Sequence, residues 1–100
     1  MHSDVVFRII KMTERVIKVL NKMGLHARPA AMLVQTVAKF SSNVKILKES
    51  FEVDAKSIMG VMTLAAGPGC ELKFVSDGPD ETEVLDAVEQ LFNSGFEELR

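Results

Sequence analysis

A single cysteine, Cys70, is all the thiol chemistry in this chain of 100 residues, so no internal disulfide can staple it and the sequence suits a reducing compartment. As a small apolar residue, Cys70 is expected in or near the core. Paired cysteines and clustered histidines are also missing, and neither a metal nor another cofactor is expected. No apolar run reaches bilayer length. The segment Val5-Val6-Phe7-Arg8-Ile9-Ile10 is far too short, and Asp4, Arg8 and Lys11 spoil it as the core of a signal peptide. Membrane insertion and export are therefore not indicated, and a cytoplasmic location is expected. Nor does charge of one sign dominate, because 12 Lys and Arg are interspersed with 14 Asp and Glu for a net charge of −2. That balance argues against a nucleic-acid binder working through a basic surface. With 47% hydrophobic residues the chain can build one modest core and has no room for a second.

What is present begins with Gly24-Leu25-His26-Ala27-Arg28-Pro29-Ala30-Ala31. Gly24 can turn the chain out of a preceding strand. Pro29 fits the first turn of a helix, where its missing N–H breaks no intrahelical bond. Beyond it Ala30, Leu33, Val34, Val37 and Phe40 recur at three- and four-residue spacing, while Gln35, Thr36 and Lys39 fall mostly on the other side. This periodicity predicts an amphipathic helix from Ala27 to about Ser41, with His26 at its threshold. A dianion bonded to that imidazole would meet the first helical N–H groups, those of Ala27 and Arg28, and the positive end of the helix dipole. The Arg28 guanidinium can add a charge-assisted contact. Neutral imidazole is a nucleophile near pH 7, and its phosphoramidate is reactive enough to hand the group onward. Taken alone, His26 could equally be a helix cap and Arg28 a solvated side chain.

The remaining pattern is a series of short elements. Arg15 to Leu20 is rich in Val and Ile and predicts a strand. Asn43–Leu47 and Ser50–Asp54 alternate at period two around polar Lys48-Glu49, which predicts a hairpin. Ser57 can cap a short helix running to about Leu64, ended by Gly67-Pro68-Gly69. Glu71–Ser76 supplies a last strand. After Gly78-Pro79, Asp80 and Glu83 have the spacing of a capping box for a final helix with the stripe Val84, Leu85, Val88, Leu91 and Phe92. The order is βαββαβα. It predicts an α/β (α+β) fold, an open-faced two-layer β-sandwich in which helices cover one face of a four-stranded antiparallel sheet.

The block Gly-Leu-His-Ala-Arg-Pro-Ala closely resembles the active-site motif of the HPr family, the histidine-containing phosphocarriers of the bacterial phosphotransferase system. A second block agrees with it. Lys56-Ser57-Ile58-Met59-Gly60-Val61-Met62 is similar to the regulatory-serine segment of the same family and falls about thirty residues after the first block. The resemblance runs from about Thr13 to the C-terminus and implies the same open-faced fold. Met12-Thr13-Glu14-Arg15 resembles the start of family members, so residues 12–100 are expected to form the phosphocarrier domain and residues 1–11 an extension, either a genuine appendage or an upstream start.

The resemblance implies that His26 accepts a phosphoryl group from enzyme I and passes it to enzyme IIA domains in sugar uptake, with Arg28 stabilising the anion. Such a protein is a phosphoacceptor substrate and not an enzyme in its own right, and a monomer is expected. The same resemblance makes Ser57 a target of HPr kinase/phosphorylase; by residue type alone it could be just a cap. Asp54, where some family members carry asparagine, adds a negative charge three residues before it. The short helix holds more apolar surface than two turns can bury, at about 3.6 residues per turn. Ile58, Met59 and Met62 could be ordinary core residues with a few stray surface methionines, or a flexible docking patch; the resemblance favours docking. A different class of function would be a regulatory module acting through phosphorylated Ser57 on a transcriptional regulator or enzyme, without sugar transport. An α/β ligand-binding module with no phosphoryl chemistry would require both motifs to be coincidental.

Overall fold

The computed structural model describes residues 12–97. Residues 1–11, with His2, lie outside the described residues. Strands β1 (Thr13–Lys18), β2 (Asn43–Lys48), β3 (Phe51–Asp54) and β4 (Glu71–Asp77) alternate with helices α1 (Ala27–Ala38), α2 (Ile58–Thr63) and α3 (Glu81–Asn93), in the order βαββαβα. A single turn of 3₁₀ helix, Gly95–Glu97, follows α3. The four strands form one antiparallel sheet in the spatial order β1-β4-β2-β3.

Side-chain alternation divides the sheet into a dry and a wet face. Ile17, Val44, Ile46, Leu72 and Phe74 point to the helices and are buried. Glu14, Lys45, Glu52 and Lys73 occupy the other face, paired as Lys45–Glu52 at 3.2 Å and Lys73–Glu14 at 3.1 Å. From α1 the core takes Ala30, Leu33 and Val37, and from α3 it takes Val84, Leu85, Val88 and Phe92. The structure adds Phe96, which is fully buried and stacks edge-on against Phe92 with centroids 4.8 Å apart, while Phe92 meets Phe74 at 5.6 Å. Each such pair contributes about 0.5–1.5 kcal/mol beyond the area it buries.

Element ends differ from the sequence pattern where tertiary bonds compete with local ones. β1 begins at Thr13 and not at Arg15, because the polar Thr13 and Glu14 find ladder partners in Ser76 and Val75. It leaves regular pairing after Lys18, and two bonds, Val19 N–H to Cys70 O and Gly69 N–H to Val19 O, both 2.8 Å, carry the contact one irregular step further. Helix α1 stops at Ala38 instead of Ser41. The N–H groups of Ser41 and Ser42 go to the Asp80 carboxylate, at 2.9 Å each, and so are lost to the helix. The same bonds dissolve the expected capping box: Asp80 precedes α3 but makes no side-chain cap there. The hairpin turn is Glu49-Ser50, with Lys48 opposite Phe51.

Candidate functional site

Helix α1 begins as the sequence implied. His26 stands at its N-cap position in an extended backbone conformation, and its ring makes no capping bond. The first intrahelical bond runs from Ala30 N–H to His26 O at 2.9 Å. Pro29 has no N–H to offer, so the donors at this end ahead of that bond are those of His26, Ala27 and Arg28. His26 is half-buried, whereas Ala27 and Arg28 are exposed. The Arg28 guanidinium reaches across to the C-terminal turn, where Nη1 lies 3.4 Å from Phe96 O, the long limit of a hydrogen bond. The guanidinium is thereby tied to the C-terminal turn.

His26 lines an open depression of about 250 Å³ together with Met23, Leu25, Ala65, Ala66 and Gly67. Its floor is Leu25, which is buried, and its outer lip is Met23, 73% exposed. The far wall is the segment that follows α2. Two contacts weld wall to floor: Leu25 N–H donates to Ala66 O at 2.9 Å, and Gly24, at φ +68°, lies so close that a side-chain carbon would sit 2.4 Å from the same oxygen. Sequence reasoning missed Met23 and the Ala65–Gly67 wall. Gly67-Pro68-Gly69 announced a turn, but nothing local tells which face of the molecule it meets.

The two sequence blocks converge because α2 packs against α1. Ser57 caps α2, its Oγ accepting from Gly60 N–H at 3.1 Å. Asp54 stands just before, Oδ1 accepting from Lys56 N–H at 2.9 Å, and its backbone O accepts from Ser57 N–H at 3.0 Å. Val61 and Leu64 turn inward, whereas Ile58 (40%), Met59 (71%) and Met62 (42%) remain exposed. Ser57 and the His26 depression thus lie at opposite ends of α2, separated by about 9 Å of helix axis at 1.5 Å per residue. Lys48 Nζ donates to Leu64 O at 3.1 Å and Lys56 Nζ to Phe40 O at 3.1 Å, so each lysine supports the negative end of one of these helices.

Among the described residues no group of three or more His, Cys, Asp or Glu could hold a metal ion, and no helix is long and apolar enough to cross a membrane.

The family model described as the PTS HPr component phosphorylation site matches residues 13–94. The chain belongs to the HPr family. Phosphocarrier protein HPr of Treponema pallidum is 49% identical over 87 residues, which is 87% of this chain and 99% of that protein. HPr of Cupriavidus necator is 48% identical over 87% of this chain and 98% of its own length. The crystal structure of HPr from Thermoanaerobacter tengcongensis superposes with a TM-score of 0.84 at 45% identity, covering 88% of this chain and 99% of that one. The crystal structure of Bacillus subtilis Crh gives 0.64 at 40% identity, over 84% and 93%. HPr is a phosphocarrier protein of the phosphotransferase system, and the fold and sequence of this chain place it in that group.

Proposed function

We propose that His26 accepts a phosphoryl group from enzyme I and delivers it to enzyme IIA domains in phosphoenolpyruvate-dependent sugar uptake. In the accepting step a lone pair of the ring attacks phosphorus, the bond from phosphorus to the donor breaks, and its electron pair stays with the donor. Delivery is the same displacement with His26 as the leaving group. The observation that carries this reading is the placement of His26 at the N-cap of α1, on the rim of an open depression. Phosphoryl oxygens would meet the N–H groups of Ala27 and Arg28 and the dipole of a twelve-residue helix. Arg28, tethered beside that helix end, supplies the charge-assisted contact.

Ile58, Met59 and Met62 form the docking patch for these partners, since flexible thioethers adapt to more than one surface. Ser57 is the regulatory site, phosphorylated by an HPr kinase/phosphorylase and then read by a transcriptional regulator. A partner seated over α2 to reach His26 would cover Ser57, so a phosphate there would have to be desolvated or met by partner charge. The protein works as a cytoplasmic monomer without a cofactor. Ion pairs crossing the open sheet face are unlike the apolar centre of an obligate interface, and the half-buried Cys70 suits a reducing compartment. Residues 12–100 are the phosphocarrier domain.

Incubation with enzyme I and labelled phosphoenolpyruvate tests this directly. One acid-labile, base-stable phosphate is expected, lost in His26→Ala and kept in His2→Ala. Label that survives His26→Ala and disappears with His2 would overturn the assignment.

A further inference from the structure

One residue ahead of His26 the backbone is held on both sides. The Gly24–Leu25 peptide is pinned at both ends: its N–H, carried by Leu25, donates to Ala66 O at 2.9 Å, and its carbonyl, that of Gly24, accepts from Asn21 Nδ2 at 2.8 Å. A carbonyl can only accept, so the NH₂ side of the Asn21 amide must face it. Asn21 also takes the Gly24 N–H on its backbone oxygen at 3.2 Å, bracketing Gly24 on both sides. The Asn21 side chain is completely buried, beneath the turn that carries exposed Met23. With that peptide plane fixed, only the torsions of Leu25, whose side chain is buried, separate it from His26, whose carbonyl is tied into α1.

We infer that Asn21 is a positioning residue for phosphoryl transfer, setting the orientation of the His26 imidazole through the Gly24–Leu25 peptide without touching the phosphoryl group. The inference rests on the reading of His26 as acceptor. Without the Asn21 amide the Gly24–Leu25 peptide would be held on its N–H side alone and could rock about that bond, and transfer is sensitive to displacements of about 1 Å at the reacting atom. A carboxylate in place of the amide keeps the shape but cannot donate, and it opposes the carbonyl.

The full chain with Asn21→Asp, and with Asn21→Ala, is compared with wild type in transfer from enzyme I. Both variants are expected to lower kcat at least tenfold while KM for the protein stays within twofold, and to move the His26 ring ¹⁵N and ¹³C signals in otherwise native spectra. A purely structural role would lower the folded fraction and leave the ring signals of the folded protein in place, and that result overturns the proposal, as does an unchanged kcat. If neither variant folds, wild type decides: the Asn21 side-chain amide protons should exchange slowly with solvent and show coupling to the Gly24 carbonyl, and rapid exchange without coupling overturns it. A wild-type chain that takes no phosphate on His26 refutes the acceptor reading instead, while the ring signals still report whether Asn21 orients the imidazole.

Discussion

Asp80 and Ser42 hold each other from both sides. The Asp80 carboxylate accepts the Ser42 N–H at 2.9 Å and the Ser42 hydroxyl on the same oxygen, while Ser42 Oγ accepts the Asp80 N–H at 3.1 Å. With Ser41 N–H on the other carboxylate oxygen, this clamp joins the end of α1 to the start of α3 across 38 residues of chain. It leaves no space at Gly78, at φ +154°, where a side-chain carbon would lie 2.5 Å from Ser42 Oγ.

The clamp makes stability depend on pH. The Ser42 hydroxyl bond first, then the Ser41 N–H, hold the Asp80 carboxyl below the usual carboxylate range. A group depressed in the folded state binds protons more readily when unfolded. Its contribution is therefore complete above about pH 4 and is lost as pH falls through the folded value. Asp80→Asn is expected to lower the melting temperature at pH 7, with the gap from wild type shrinking below about pH 4. A gap that stays constant from pH 7 to pH 2 would remove Asp80 from this role.

Ala65 sits in the left-handed region at φ +48°, in the wall of the His26 depression. That conformation costs an L-residue about 1–2 kcal/mol, offset in part by the extra unfolded-state freedom glycine brings. Ala65 is exposed, so its methyl contributes little packing. Ala65→Gly should gain up to about 1 kcal/mol, or about 4–8 °C in Tm for a domain of this size. Thermal unfolding followed by circular dichroism checks it, and a fall in Tm would mean the methyl is holding the wall.

Replacing Ser57 by Asp should preserve the fold, since aspartate is as good a helix cap as serine and stability should hold within about 0.5 kcal/mol. Transfer from enzyme I should slow, and phosphorylation of Ser57 should slow it more, because phosphate carries about −1.5 to −2 charge and three acceptor oxygens. Rate constants for the three forms make the comparison. Equal rates would end the regulatory role of Ser57 and leave His26 untouched.

A chain starting at Met12 should melt at the same temperature as the full chain and accept phosphate at the same rate. Among the described residues the first core side chain is Ile17, and the family match begins at residue 13. A large drop in Tm on this truncation would give residues 1–11 a structural role.

Much of the fold was legible because its elements are amphipathic at their own periods. The α1 and α3 stripes and the alternation in β2 and β4 each select one buried face, and those faces are the ones buried here. The local caps were less reliable. Ser57 caps α2 as its position implied, because among the described residues no distant group is bonded to its hydroxyl. Asp80 has the spacing of a cap, yet its carboxylate serves Ser41 and Ser42, where two N–H groups and a hydroxyl outbid a single helical donor. Phe96 was silent in the sequence, since one aromatic past a helix end has no period to announce it.

The sequence by itself determined the element order, the helix that begins at His26, and the excess of apolar surface on α2 that leaves Ile58, Met59 and Met62 outside. Each follows from spacing within a few turns of chain. Only the tertiary structure decided what faces His26. Met23, the Ala65–Gly67 wall and the peptide pinned by Asn21 and Ala66 come from segments about forty residues apart, and contacts between such segments are set by how the whole core closes, not by any local preference.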